Sequence, residues 1–160
     1  MRPRKGSSPH IPLRPRGKAW VHRGILGLTR GTTRAHLVRA ALEGVAFSVG
    51  EVVRAMAEAA DLALGALKAD GGMAGNDLFL QIQADLLGVP VLRPGVTETT
   101  ALGAAWAAGV GVGLLAPEDL KGLWREAARF SPRMPEAERE ARYRGWRRAV
   151  DRVRGWAEEG

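Results

Sequence analysis

The sequence predicts an α/β fold, a small sheet flanked by helices, from three observations. Apolar residues recur at three- and four-residue steps in several long stretches, the spacing of amphipathic helices. Two apolar runs, 66–70 and 89–92, are too short for helices and read as strands. The first enters a glycine-rich turn, Asp70-Gly71-Gly72-Met73-Ala74-Gly75-Asn76-Asp77, which opens onto a helical pattern at Leu78, Phe79, Ile82 and Leu86.

In chain order, residues 24–28 read as a short extended piece and 29–33 as a turn, with Thr32 or Thr33 positioned to cap a helix. That helix carries Val38, Leu42, Val45, Val49, Val52, Val53 and Met56 and reaches about Ala60. The strand 66–70, the glycine turn and a helix from Asp77 to Leu87 follow, and Gly88 suits the left-handed stop. Pro90 removes a ladder donor from the strand 89–92, which predicts a short or edge strand. Thr97 is placed to cap a helix through Ala108 whose small residues permit close packing. Two helices then start at Pro117 and Pro135. The second has an apolar stripe at Tyr143, Trp146, Val150 and Val153, with Glu138–Arg142 and Glu140–Arg144 as supporting pairs. Two or three strands leave open sheet edges and uncovered helix faces, as expected of part of a larger domain. Self-association or a complementary fragment is the expected cover.

Composition narrows the function classes. The formal charge of +7 is confined to residues 1–23, which hold seven Arg or Lys and no acid; the remainder balances. Residues 1–23 therefore read as a basic, disordered leader rather than a nucleic-acid-binding arm. No apolar run has the length of a membrane span. The absence of cysteine removes disulfide and thiolate chemistry and fits a cytoplasmic protein. His10, His22 and His36 are scattered, without metal-ligand spacing, so no metal site is expected.

The glycine turn is the candidate site. Glycines let a backbone approach a ligand closely, and the following helix offers unpaired N–H groups and partial positive charge. Each residue there also has a purely structural reading. Gly71 and Gly72 could satisfy turn sterics alone, and Asn76 could simply cap the helix. Asp70 is expected to bond to the turn, and Glu43 to pair with Arg30 or Arg39. Trp106, Trp146 and Trp156 read as core or interface, and Ser48 lacks a histidine to activate it.

Five segments in fixed order carry a resemblance: Gly27-Leu28-Thr29-Arg30-Gly31-Thr32, Ala41-Leu42-Glu43-Gly44-Val45-Ala46-Phe47, Asp70-Gly71-Gly72 through Asn76, 81–91 (QIQADLLGVPV) and 97–105 (TETTALGAA). Together with the closing 143–150 (YRGWRRAV), they resemble the C-terminal part of glycerol kinases in the FGGY carbohydrate kinase family, over about residues 24–156. The resemblance implies a partial actin-like, ribonuclease-H-like ATPase domain and ATP-dependent phosphoryl transfer to glycerol. It places Gly71, Gly72 and Asn76 at adenine-nucleotide contacts, with ATP and Mg²⁺ as family cofactors and the metal ligands outside this chain. It assigns no catalytic residue here.

Residues 24–160 thus read as part of the family's C-terminal domain, and 1–23 as unrelated to it. Family members are about three times longer. Their glycerol site, aspartate base and phosphate loops have no counterpart here, so the isolated chain is expected to be inactive. A truncated or frameshifted gene or a misassigned start would each give this pattern.

Overall fold

The computed structural model describes residues 25–96, 98–122 and 124–153. The expected disordered leader, the Thr97 cap and Trp156 lie outside the described residues. Residues 25–29 form no strand, and Ile25, Leu26 and Leu28 are exposed. The turn that follows is closed by Thr32 N–H donating to the Thr29 carbonyl at 3.0 Å.

Helix α1 spans Arg34–Ala59 and is capped by Thr33, whose Oγ1 accepts from His36 N while His36 Nδ1 accepts from Thr33 N. Its buried face is Ala46, Phe47 and Gly50. The stripe expected from periodicity is split. Leu42 borders the core, while Val38, Val45, Val52 and Met56 lie on the outside, 41–64% exposed. The expected shortage of cover for this helix is therefore visible among the described residues.

Strand β1 (Leu67–Lys68) leads through a 3₁₀ turn, Gly72–Gly75, into helix α2 (Asp77–Leu87). Asn76 caps α2, and Gly88 ends it at φ 74°. A side chain at Gly88 would also collide with the Arg139 guanidinium. Strand β2 (Val91–Pro94) runs parallel to β1, with Leu67 opposite Val91. Helix α3 is Thr99–Gly111, and a 3₁₀ turn covers Pro117–Gly122. Strand β3 (Glu126–Phe130) pairs antiparallel with β2, and helix α4 (Glu136–Val153) closes the described chain.

Several expectations are corrected. Strand β2 is central in the order β1-β2-β3, not an edge. The strand starts after Pro90, so no ladder donor is lost; Pro90 instead accepts from Leu67 N through its carbonyl. Strand β3 was not anticipated, because Glu126-Ala127-Ala128-Arg129 has helix-forming composition and only pairing with β2 makes it a strand. The element at Pro117 is 3₁₀ rather than α, and Glu98, without a side-chain capping bond, precedes α3. Glu140 pairs with Arg54 of α1 at 3.4 Å instead of Arg144, whereas the expected Glu138–Arg142 pair forms at 2.9 Å. Glu43 takes Arg39 at 2.7 Å and also Arg142 at 3.3 Å.

The core joins α1, α2, β2 and α4 through Phe47, Phe79, Leu80, Ile82, Leu86, Val91 and Tyr143. Buried Gln83 reaches from α2 to the Ala46 carbonyl of α1 at 3.5 Å. Phe47 meets Tyr143 edge to face at 5.1 Å and stacks on Trp146 at 5.2 Å. Gly50 makes this seam possible, because a Cβ there would strike the Tyr143 hydroxyl. That hydroxyl is buried without a hydrogen-bond partner among the described residues, and the Arg54 guanidinium lies 3.8 Å from the ring centroid. Burial pushes the Tyr143 phenol above its ordinary pKa, opposed by the Arg54 charge.

Candidate functional site

The glycine turn stands at the carboxyl end of β1, beside the parallel strand β2. In α/β sheets, ligands bind outside the carboxyl ends of parallel strands. The chain folds this way locally because two short strands flank an amphipathic helix, and the turn must reverse direction between strand and helix. Ala74 anchors the turn by burying its methyl group at 2% exposure. Within the turn, Ala74 N donates to the Gly71 carbonyl at 2.9 Å and Asn76 N to the Met73 carbonyl at 3.1 Å.

The two candidate glycines differ physically. Gly71 has φ 83° and ψ −177°, a region open essentially to glycine alone. Its presence is fully explained by the backbone. Gly72 has no left-handed φ, is exposed, and a Cβ there would meet nothing within 4 Å. Turn sterics therefore do not account for Gly72, nor for Gly75, which is equally unobstructed. Asn76 Oδ1 accepts from Phe79 N at 3.0 Å, so the capping reading is correct. The side-chain amide N–H₂ has no partner among the described residues and faces an exposed position. Capping and ligand contact thus use different atoms of one side chain.

Asp70, expected to bond to the turn, makes no such bond among the described residues. It is exposed and lines a cleft of about 230 Å³ with Lys68, Ala69, Pro94, Thr99 and Trp124. Lys68 Nζ sits 4.0 Å from the Trp124 ring centroid. The cleft joins the ends of β1 and β2 to the start of α3. Sequence reasoning missed Lys68, Thr99 and Trp124, because their proximity depends on pairing across the sheet: β1 with β2 sets Lys68 near the chain leading to Thr99, and β2 with β3 brings in Trp124. It also missed Arg93 of β2, which donates to the Ala74 carbonyl at 3.1 Å and to Asp77 at 2.6 Å. A lone arginine in an apolar strand beside an acidic helix start was the available signal. Ser48 is accounted for by its bond to the Gly44 carbonyl at 2.9 Å. Trp146 borders the core as expected, and Trp106 is half-buried.

Among the described residues, no cluster of three His, Asp or Glu side chains could hold a metal ion, and no helix is long and apolar enough to cross a membrane. The arrangement offers bare backbone, a free amide and a helix start beside an open cleft. Groups of this kind can orient a polar ligand; among the described residues they form no nucleophile–base pair.

Comparison with known proteins converges on one group. Residues 13–112 match the family model for the C-terminal domain of the FGGY family of carbohydrate kinases. The matched span begins inside the basic N-terminal segment. A glycerol kinase of Thermus brockianus is 75% identical over 146 residues, covering 91% of this chain and 30% of its own length. A glycerol kinase of Dechloromonas aromatica is 56% identical over 134 residues, with coverages of 83% and 27%. The crystal structure of Plasmodium falciparum glycerol kinase with ADP superposes with a TM-score of 0.71 at 34% identity, over 82% of this chain and 26% of that one. The chain spans about 30% of the length of the first of these relatives.

Proposed function

The chain belongs to the FGGY family of carbohydrate kinases, and on that premise we propose that its glycine turn is the adenine-nucleotide seat of a glycerol kinase. Its small sheet flanked by helices is part of the family's actin-like, ribonuclease-H-like ATPase domain. The whole enzyme's reaction in this reading is phosphoryl transfer from ATP to glycerol, giving glycerol 3-phosphate, in the cytoplasm. This chain's part is to hold the nucleotide. Gly71 keeps the turn tight, Gly72 leaves room for the ligand against the backbone, and Asn76 offers its free amide. The observation that carries the reading is Gly72, a glycine that neither backbone conformation nor neighbouring atoms require. A nucleotide solved with a relative of similar fold supports it.

Phosphoryl transfer depends on positioning and on electrostatic stabilisation of phosphate charge. The described residues fit the positioning of the base end of a nucleotide. They do not supply a metal-ligand cluster, so no step is assigned to Mg²⁺ through this chain. Glycerol would be bound by parts of the kinase beyond this chain, and the 160 residues alone are expected to bind nucleotide weakly and to turn over none.

Calorimetry with ADP tests the seat. Gly72→Val should abolish binding by filling the open space, with the fold retained, and Asn76→Ala should weaken it. Unchanged binding in both variants would make the turn structural only. Glycerol phosphorylation by the purified chain would overturn the division of labour. The outward apolar residues of α1 add a protein partner to the proposal, either the remainder of such a kinase or a second copy. Sedimentation should show association, and a dilute monomer with cooperative unfolding would refute it.

A further inference from the structure

We propose that Arg93 is a positioning residue for this seat: from β2 it fixes the glycine turn by binding the Ala74 carbonyl and the Asp77 carboxylate together. The inference rests on the nucleotide reading above. The turn needs an external hold. Three glycines within 71–75 give its backbone wide freedom, and glycine loses the most conformational entropy on ordering. Besides the bonds internal to its 3₁₀ turn, its backbone is closed by those already described, at Ala74 and Asn76.

Arg93 supplies a restraint from a neighbouring strand. Its Nη1 lies 3.1 Å from the Ala74 carbonyl oxygen and 2.6 Å from Asp77 Oδ1. The Arg93 side chain is 22% exposed, and its guanidinium carbon is 5.5 Å from the Phe130 ring centroid on β3. The arginine is thus held from the sheet side while it grips the turn. Charge-assisted hydrogen bonds of this kind are shorter and stronger than neutral ones.

The placement of the two grips matters. Ala74 and Asp77 bracket Asn76, whose free amide is the proposed ligand contact, and Ala74 lies two residues from Gly72. One guanidinium therefore fixes both proposed contacts relative to the carboxyl end of β2. Asp77 is itself 72% exposed on its side chain. An exposed ion pair adds little global stability. The arrangement spends a partly buried arginine on local geometry rather than on the core.

The test uses the full chain and three variants, Arg93→Met, Arg93→Lys and Asp77→Ala, with amide exchange and ADP calorimetry as readouts. In Arg93→Met, exchange at Ala74 and Asn76 should accelerate by roughly tenfold while Ala84 inside α2 keeps its protection. ADP affinity should fall by roughly tenfold. Arg93→Lys should restore most of both. Unchanged turn exchange in Arg93→Met, or a loosened turn with unchanged ADP affinity, overturns the proposal. Should Arg93→Met not fold, Asp77→Ala decides from an exposed position: a loosened turn with several-fold weaker ADP supports the role, and no change refutes it. Absence of ADP binding in the unsubstituted chain overturns the nucleotide reading itself, a result distinct from intact binding that ignores Arg93.

Discussion

Helices α2 and α3 are similar in length, 11 and 13 residues, and both are rich in apolar side chains, yet α2 buries six residues and α3 none. The contrast separates apolar composition from burial. Helix α2 has a partner on each apolar flank, α1 on one side and the sheet on the other. Helix α3 is made largely of Ala and Gly, and the chain after it leaves Val112 71% and Leu114 80% exposed. Those surfaces are suited to cover that the described residues do not provide. The same holds for the outward face of α1.

The largest effect should come from the α2 side. Leu80 is fully buried, and Leu80→Ala should cost about 2–5 kcal/mol in urea unfolding. That is a large share of a typical domain's stability. A cost near zero would mean that the α2 core is no better packed than α3.

Gly50→Ala probes the seam that lets α4 close against α1. Its Cβ would strike the Tyr143 hydroxyl, and a cost of about 1–3 kcal/mol is expected. The double variant with Tyr143→Phe should recover part of that loss, because the colliding atom is gone.

Tyr143 sharpens the comparison through pH. Burial raises its pKa, against the Arg54 charge and with Glu51 and Glu140 adding to the rise. Above about pH 10 the unfolded chain ionises this phenol before the folded chain does. Its contribution is complete below that pH and is lost as pH rises through the folded value. Urea midpoints measured on both sides of that pH should fall less in Tyr143→Phe than in the unsubstituted chain.

The smallest effect is expected beyond α3. Leu114→Ser should change stability by no more than about 0.5 kcal/mol. A loss comparable to Leu80→Ala would show that this flank is buried by association, and the contrast between α2 and α3 would collapse.

What the sequence disclosed follows the same division. Asn76 and Gly88 were legible, and Thr33 as one of two candidates beside Thr32, because caps and stops are set by one residue and its own backbone. Helix α2 was legible to the residue for that reason. Strand β3 was hidden, because a distant partner overrode the local preference of Glu126-Ala127-Ala128-Arg129. The true contact face of α1 was hidden too. It uses Ala46 and Gly50, whose small size permits close approach to α2 and α4, and periodicity weights large side chains instead. At the site, Gly71, Gly72 and Asn76 stood out in the sequence. Lys68, Trp124 and Arg93 did not, since they join the site only through pairing across the sheet.

The two C-terminal elements are fastened to separate parts of the molecule: β3 hydrogen-bonds to β2, and α4 seats Tyr143 against α1. The stretch 111–119 that leads to them is exposed throughout. A protease that severs the chain there would cut a tether, not a support. The piece carrying β3 and α4 should stay clasped to the rest until the core itself melts, and a separately made C-terminal peptide should find the same two docking points.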